Sequence, residues 1–200
     1  MGYIFLIRHG VTDGNRDGIL LGRKDYTLNS DGFKQAERCA KSFHDFSIDH
    51  IYTSPVLRAY QTAEILSKEI KVNLEMDQSL TEVDCGNWVG RYYKDLRKLE
   101  EWKAHFDDPV NIQLSGWESV VDINLRSVNF LERIFATLDK KNIIIVSHGD
   151  VLRCMLSWAL GMNLKYFRRL ILDNALISQI KKNEDELQVM GVNLMAPLKL

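Results

Sequence analysis

Two short apolar runs of the chain are typical of buried β-strands, and each ends in a polar tripeptide that contains a histidine. Residues 3–7 are aromatic or β-branched except for Leu6, and they lead into RHG at residues 8–10. Residues 143–146, IIIV, lead into SHG at residues 147–149. A third short strand is predicted at residues 51–53. The pattern therefore predicts that both histidines follow directly on the end of a strand.

Apolar residues spaced by threes and fours predict helices between these strands. The predicted helices span about residues 30–46, 55–70, 119–138 and 150–161, with Ser30 as the cap of the first, Ser54 as the cap of the second and Pro55 as the first residue of the second. The first helix should bury Phe33, Ala36, Cys39, Ala40 and Phe43, and the third should bury Val121, Leu125, Val128, Leu131, Phe135 and Leu138. Arg58 falls in the first turn of the second helix.

The middle of the chain, residues 74–117, is less regular. One helical face is expected from Tyr93, Leu96, Leu99, Trp102 and Phe106, before Pro109. We interpret residues 83–118 as an inserted lobe or lid within a single domain that spans residues 1–200. At the end of the chain, residues 175–180 and 187–192 are predicted to be two strands joined by a turn at 183–185.

Strands that alternate with helices predict a three-layer α/β/α sandwich with a mostly parallel sheet. Ligands of such sheets bind at the carboxyl ends of the strands. Arg8, His9, Arg58 and His148 are all expected at that edge, where four cationic or cation-capable groups would repel one another without an anion. A phosphate dianion meets this demand, because the arginine fork matches two phosphate oxygens. Asn15 can add a neutral donor, and Gly10 and Gly149 allow close approach of the backbone.

Composition and charge narrow the class of partner. The chain has 200 residues with 26 Lys and Arg against 27 Asp and Glu, a net charge of −1. This balance gives no reason to expect nucleic acid or an anionic membrane as a partner. No segment has the roughly 18 apolar residues that span a bilayer, and the N-terminus lacks the features of a signal peptide, so a cytoplasmic protein is expected. Cys39, Cys85 and Cys154 are too few and too widely spaced for a disulfide framework or a zinc site, and we expect reduced thiols.

The order of these motifs resembles that of the histidine phosphatase superfamily, also called the phosphoglycerate mutase-like family. The matching segments are LIRHGVTDGN (6–15), GRKDYTLNSDGFKQA (22–36), SPVLRAYQTAEIL (54–66), LTEVDCGNWVG (80–90), GWESVVDINLR (116–126) and VSHGDVLR (146–153). RHG alone would be a weak signal. RHG with the distant SHG, the intervening arginine and the TE segment, all in this order, is specific.

The resemblance implies a role for each site residue. His9 would attack phosphorus and form a phosphohistidine, and Glu82 would protonate the leaving group and then activate water. Arg8, Arg58 and His148 would bind the phosphoryl oxygens, so that no metal or other cofactor is needed. The expected phosphate-binding and substrate-binding residues are Arg8, Asn15, Leu21, Gly22, Arg58, Glu82, His148 and Gly149. The expected partner is a small phosphomonoester.

The same resemblance favours the phosphatase branch over the mutases. A glycolytic mutase carries an adjacent arginine pair after its acid, and this chain has none between Glu82 and Trp117; its Arg168-Arg169 pair lies elsewhere in the sequence. The segment EVDCGNWVG resembles phosphatases, which include α-ribazole phosphatases and broad-specificity enzymes. Val11 and Trp117 depart from the common pattern of the family and leave the substrate environment open.

Three other interpretations remain. Residues 85–91, CGNWVGR, have the spacing of a thiolate phosphatase, although Asp84 would raise the pKa of the thiol. A catalytically inactive relative could bind phospho-ligands or proteins, but it would not need Glu82. A zinc site at His9 and His148 conflicts with the neighbouring Arg8. The aromatic residues Trp88, Tyr92, Tyr93 and Trp117 could stack on an aromatic leaving group or pack in the core of the lobe.

Overall fold

The computed structural model describes residues 2–137, 140–183, 186–195 and 198, and it has the predicted α/β architecture. The strands are β1 (Gly2–Arg8), β2 (His50–Thr53), β3 (Leu74–Met76), β4 (Asn142–Ser147), β5 (Ile177–Asn183) and β6 (Glu186–Leu194). They form one sheet in the order β3-β2-β4-β1-β5-β6. The first four strands of that order are parallel, β5 pairs antiparallel with β1, and β6 pairs antiparallel with β5.

Helices cover both faces of this sheet. They are α1 (Asp13–Arg16), α2 (Ser30–Lys41), α3 (Leu57–Ile70), α4 (Tyr93–Leu96), α5 (Glu100–Asp107), α6 (Val120–Thr137) and α7 (Gly149–Ala159), with 3-10 turns at Gln78–Leu80, Gly86–Trp88 and Leu164–Arg169. Alternate side chains of β1 point to opposite faces. Ile4 and Leu6 pack in one apolar cluster with α6 and α7, whereas Phe5 and Ile7 pack in another with α2 and α3. The sheet is therefore the middle of three layers, as predicted.

Two predicted helix starts are corrected by local hydrogen bonds. Helix α2 begins at Ser30, but its cap is Asn29, whose side chain accepts from the amides of Asp31 and Gly32. This helix ends at Lys41, before the predicted end. Helix α3 begins at Leu57 rather than Pro55. The first amides of a helix have no acceptor within it. Asn29 supplies one for α2, and Oδ1 of Asp25 accepts from the amide of Leu57, the first residue of α3, at 3.1 Å.

Five residues predicted on buried helix faces are exposed. They are Phe33 on α2, Tyr93 on α4, Phe106 on α5, and Val121 and Leu125 on α6. The remaining described members of the faces predicted for α2 and α6 are buried. The apolar residues of each predicted helix cover a wider arc than the part of the helix that is buried. A helix on a sheet buries a stripe of only about 100°, so apolar residues at the margin of that stripe stay exposed. Leu138, predicted on the same face of α6, lies outside the described residues.

Residues 83–118 hold two short helices, α4 and α5, instead of the continuous helical face expected. The indole rings of Trp88, Trp102 and Trp117 pack against one another, with centroids 5.7–6.3 Å apart. At the end of the chain, β5 and β6 confirm the two predicted strands, and their connection at 184–185 lies outside the described residues. In the described part of the chain, no helix is long and apolar enough to cross a bilayer.

Candidate active site

The two histidines of the RHG and SHG motifs converge. Strands β1 and β4 are adjacent and parallel, with Arg8 in register with Ser147. The backbone amide of His9 donates to the carbonyl of Ser147 at 3.0 Å, and the ring centroids of His9 and His148 are 5.2 Å apart. Both side chains are buried. The convergence predicted from the strand ends is confirmed.

His9 is held with one ring nitrogen available for reaction. Its Nδ1 lies 2.7 Å from the carbonyl oxygen of Gly10, which only accepts, so Nδ1 carries the proton. Its Nε2 accepts from Nε of Arg58 at 3.1 Å. Burial lowers the pKa of His9 well below 6.5, and the positive charges of Arg58 and Arg8 lower it further. His9 is therefore neutral, with its lone pair on Nε2.

Arg58 is fully buried and is held by backbone carbonyl groups. Its Nη2 donates to the carbonyl of Gly22 at 2.8 Å, and its Nη1 donates to the carbonyl of Lys24 at 3.1 Å. Gly22 has a φ of +50°, and a Cβ there would lie 2.7 Å from Val89 Cγ2. Gly22, predicted to contact substrate, lines the cleft and also positions Arg58.

His148 is oriented by a residue that the sequence did not single out for the site. Its Nε2 lies 2.7 Å from the hydroxyl of Ser54, which also accepts from the amide of Val56. The hydroxyl proton of Ser54 can then point at Nε2, which leaves the ring proton on Nδ1. In the described part of the chain, Nδ1 of His148 and Nε of Arg8 are buried without a hydrogen-bond partner. Buried donors without partners are rare.

Glu82 faces these cations. Its Oε2 lies 3.7 Å from Nη2 of Arg58 and 3.6 Å from Nδ1 of His148, and its Oε1 accepts from the amide of Val83. Burial raises the pKa of Glu82 above 4.5, against the opposing charge of Arg58. The carboxyl group can therefore hold a proton more readily than an exposed glutamate does.

Gly10 and Gly149, the glycines of the two motifs, are required by the packing of the protein itself as well as by the predicted approach to phosphate. A Cβ at Gly10 would lie 2.7 Å from the carbonyl oxygen of Gly32, so Gly10 allows α2 to pack on the loop. A Cβ at Gly149 would lie 3.2 Å from Nη1 of Arg153 and 3.8 Å from Nε of Arg8. Gly149 thus makes room for two guanidinium groups rather than for a ligand alone.

A cleft of about 270 Å³ opens over His9. Of the predicted site residues, it is lined by Arg8, His9, Asn15, Leu21, Gly22, Arg58, Glu82 and Gly149. His148 contacts two of them without lining the cleft itself. The carbonyl oxygen of the Asn15 side chain accepts from the amide and hydroxyl of Thr12, so its amide nitrogen is the group left for a ligand.

Several residues of the cleft were missed or set aside by sequence reasoning. They are Leu20, Val83, Arg97, Trp102, Phe106, Asp150, Arg153 and Arg168. Asp150 and Arg153 follow the SHG motif by one and four residues, so their position on the first turn of a helix after a strand was a usable signal. Arg168 was placed away from the site, and the structure corrects this. No local pattern links Arg97 to it.

The thiolate interpretation fails at Cys85. The side chain is buried, and its Sγ lies 3.5 Å from the carbonyl oxygen of Val83. Burial raises the pKa of the thiol, and the charge of Glu82 raises it further. Arg91, the arginine of the pattern, stacks on the ring of Trp88 instead. Cys39, Cys85 and Cys154 are free and buried.

Of the four aromatic residues predicted either to stack on the leaving group or to pack in the core of the lobe, only two lie in the cleft. Trp88 packs in the indole cluster, and Tyr92 has an exposed ring beside Lys94, so neither is placed to stack on a ligand. Tyr93 and Trp117 line the cleft. Among the described residues, no group of three or more His, Cys, Asp or Glu side chains could hold a metal ion.

Comparison with known proteins identifies the family. The model of the histidine phosphatase superfamily (branch 1) matches residues 4–195. The chain belongs to the histidine phosphatase superfamily. This superfamily assignment covers nearly the whole chain, and it agrees with the resemblance found in the motifs.

Members of the histidine phosphatase superfamily with known names are similar over most of their length. "Putative phosphoserine phosphatase 2" of Hydrogenobacter thermophilus is 31% identical over 96% of each chain. "Probable phosphoglycerate mutase GpmB" of Proteus mirabilis is 32% identical over 88% of this chain and 83% of the relative. The solved structure of "a putative alpha-ribazole-5'-P phosphatase" from Escherichia coli has a TM-score of 0.87 at 26% identity, over 96% of each chain.

Proposed function

We propose that this enzyme is a metal-independent phosphomonoesterase that works through a phosphohistidine on His9. The observation that carries the proposal is the pair of buried donors without a partner, Nε of Arg8 and Nδ1 of His148, beside a neutral His9. A phosphoryl group has the oxygens that both donors need. The same group would offer an acceptor to Arg58, whose Nε is bound to Nε2 of His9 in its absence.

In the first step, Nε2 of His9 attacks phosphorus and the P–O bond to the leaving group breaks. Nδ1–H stays bonded to the carbonyl of Gly10 and stabilises the positive charge on the ring. Glu82 gives its proton to the departing alkoxide. Arg8, Arg58 and His148 neutralise the charge on the phosphoryl oxygens, the task that Mg²⁺ performs in other phosphoryl-transfer enzymes.

In the second step, water attacks the phosphohistidine and the P–N bond breaks. Glu82, now a carboxylate, takes a proton from the attacking water, and His9 returns to its neutral form as inorganic phosphate leaves. Dividing one displacement into two lets a single carboxyl group serve first as acid and then as base.

The cleft favours a small substrate. Its volume of about 270 Å³ is below the roughly 300–1,000 Å³ of pockets for drug-sized ligands. The named relatives act on phosphorylated metabolites according to their names, which supports this class, and α-ribazole phosphate is one candidate. Residues 83–118 supply several side chains of the cleft wall, and we assign this segment the role of a lid over the substrate.

The test is phosphate release from p-nitrophenyl phosphate in the presence of EDTA. We expect turnover by the wild type and by Cys85→Ser, and a loss of about 10⁴-fold or more in His9→Ala, because the nucleophile is removed. An acid-labile phosphoenzyme should form in the wild type and be absent from His9→Ala.

Three results would contradict the proposal. Loss of activity in EDTA with recovery on adding a divalent metal would make the enzyme metal-dependent. Loss in Cys85→Ser with full activity in His9→Ala would restore the thiolate mechanism. Phosphate binding without turnover of any phosphomonoester would indicate an inactive relative, and transfer between phosphoglycerates without phosphate release would indicate a mutase.

A further inference from the structure

The charges that line the cleft are unbalanced beyond the needs of one phosphoryl group. Five arginines face two carboxylates: Arg8, Arg58, Arg97, Arg153 and Arg168 against Glu82 and Asp150. With Asp150 ionised and Glu82 holding the proton that it gives to the leaving group, the excess is four positive charges. A phosphate dianion balances two of them. Further negative charge on the ligand would balance the rest.

Arg8 and Arg58 lie beside His9. Arg168 instead stacks on Phe106, and Arg97, Trp102 and Phe106 also line a second cleft that includes none of the residues around His9. We call the group formed by Arg97, Trp102, Phe106 and Arg168 the distal end. Arg153 does not contribute to it, because its Nη1 donates to Asp150 at 2.8 Å and its Nε donates to the carbonyl of Leu170. Asp150 is ionised, since the charges of Arg153 and Arg168 lower its pKa against the effect of burial. This pair leaves Arg97 and Arg168 as the cations of the distal end.

Arg168 is fixed in place without being neutralised by an ion pair. Its Nη2 donates to Nε2 of His105 at 3.0 Å, and its Nη1 lies 3.3 Å from the carbonyl oxygen of His105. Its guanidinium also lies over the rings of Phe106 and Phe167, at 4.9 and 5.1 Å. His105 accepts because burial lowers its pKa and its Nδ1 is bound to the carbonyl of Ile112.

Arg97 completes the pair from a different element. It follows the last residue of α4, and its side chain is exposed at the mouth of the cleft. Among the described residues, neither Arg97 nor Arg168 has a carboxylate within 4.0 Å. A rigid arginine and an exposed one, both without a carboxylate, can bind an anionic group that arrives with the substrate.

We propose that Arg97 and Arg168 bind a carboxylate on the leaving group, so that the substrate is a small phosphorylated carboxylic acid. The inference rests on the proposed function, because the phosphoryl group must sit at His9 for the carboxylate to reach the distal end. Trp102, Phe106 and Trp117 form the apolar wall that covers the carbon chain between the two charged groups. His105 is a positioning residue that acts through Arg168.

The experiment compares two substrates that differ only in this group. 3-Phosphoglycerate carries a carboxylate where glycerol 3-phosphate carries a hydroxymethyl group. We expect the wild type to prefer 3-phosphoglycerate by about 10-fold or more in kcat/KM. Arg168→Gln should lower that preference by about 10- to 100-fold, mainly through KM, because a charged hydrogen bond is lost. Arg168→Lys should restore part of it.

Two further variants protect the comparison. Arg97→Gln changes an exposed side chain, so it should fold normally and lower the same preference by about 3- to 10-fold even where Arg168→Gln is unstable. Arg169→Gln is the matched control, since Arg169 stacks on Tyr166 and does not line the cleft, and the preference should not change.

The outcomes separate this inference from the proposed function. Turnover of p-nitrophenyl phosphate without a preference for 3-phosphoglycerate would overturn the carboxylate subsite and leave the phosphatase intact. An equal fall of the preference in Arg97→Gln, Arg168→Gln and Arg169→Gln would make the effect one of general charge and would also overturn it. A stronger preference for a bisphosphate would assign the distal end to a second phosphate. No turnover of any ester by the wild type would reject the proposed function itself.

Discussion

The two ends of the cleft are built in different ways. At the end around His9, Arg8 is the last residue of β1, and His9 and His148 directly follow β1 and β4. The hydrogen-bonded register of these two parallel strands fixes the positions of all three residues. At the distal end, Arg97 follows one short helix and Arg168 lies in a 3-10 turn after α7. The sheet therefore fixes the proposed nucleophile and two of the groups proposed to bind the phosphoryl oxygens, whereas connecting segments supply the arginines proposed for selectivity.

At both ends of the cleft, backbone carbonyl groups hold the arginine side chains. Arg58 is held by the carbonyls of Gly22 and Lys24, Arg8 by that of Leu172, and Arg168 by that of His105. A carbonyl oxygen satisfies an N–H group without cancelling the charge, as a carboxylate would. Each guanidinium is thus oriented in advance and keeps its charge for a ligand.

The largest expected effect sharpens the description of the end around His9. In Glu82→Gln, hydrolysis of glycerol 3-phosphate should fall by about 10²- to 10⁴-fold, because an alkoxide needs a proton to leave. p-Nitrophenyl phosphate releases a stable phenolate and does not need that proton. It should still phosphorylate His9 and release a burst of nitrophenolate equal to the enzyme present, followed by slow turnover because water is no longer activated.

Rapid mixing with both esters measures this difference. Glu64→Gln is the control, since it makes the same chemical change on a half-buried glutamate of α3 that pairs with Lys68 and does not line the cleft. Equal losses in the phosphorylation step for the two esters, with no burst from p-nitrophenyl phosphate, would mean that Glu82 binds or positions the phosphoryl group and is not the acid.

The contrast between the two ends also explains what could be predicted from the sequence. His9 and His148 were placed correctly because each directly follows a buried strand, and the carboxyl edge of a parallel sheet brings such residues together. Arg168 could not be placed, because its position depends on a contact with His105, 63 residues earlier in the chain. The sequence predicts Ser54 as a helix cap, whereas its hydroxyl accepts from the backbone amide of Val56 and contacts Nε2 of His148. Tertiary hydrogen bonds of this kind leave no periodic signal.

A smaller effect is expected when the support of Arg168 is removed. His105→Leu fills the buried position with an apolar side chain of similar size and removes the acceptor for Nη2 of Arg168. The preference for 3-phosphoglycerate over glycerol 3-phosphate should fall by about 5- to 10-fold, mainly in KM. His105→Gln, whose side-chain oxygen can accept the same bond, should recover part of the preference. A loss that is equal for both substrates, or no recovery in His105→Gln, would limit His105 to a structural role.

The smallest effect concerns how the stability of the fold depends on pH. Burial, followed by the charge of Arg58, holds the pKa values of His9 and His148 well below 6.5 in the folded protein. The unfolded chain binds protons at these residues below pH 6.5 and the folded protein does not. The free energy of unfolding should therefore fall as the pH drops below 6.5, by up to about 1.4 kcal/mol per pH unit for each histidine.

Urea unfolding in buffers without phosphate, between pH 7.5 and 5.5, measures this slope. Glu82 has the opposite sign, because its raised pKa gives stability that is fully present below pH 4.5 and is lost as the pH rises through the folded value. As the pH falls towards that folded value, Glu82 therefore opposes the loss that the two histidines cause. His148→Gln should remove up to half of the slope, and His44→Gln, at an exposed ring on the surface that lies outside the cleft, is the control for the substitution itself. A slope that is the same in all three proteins would mean that His148 takes up a proton inside the fold, and the buried donor at its Nδ1 would then belong to an imidazolium rather than to a neutral ring.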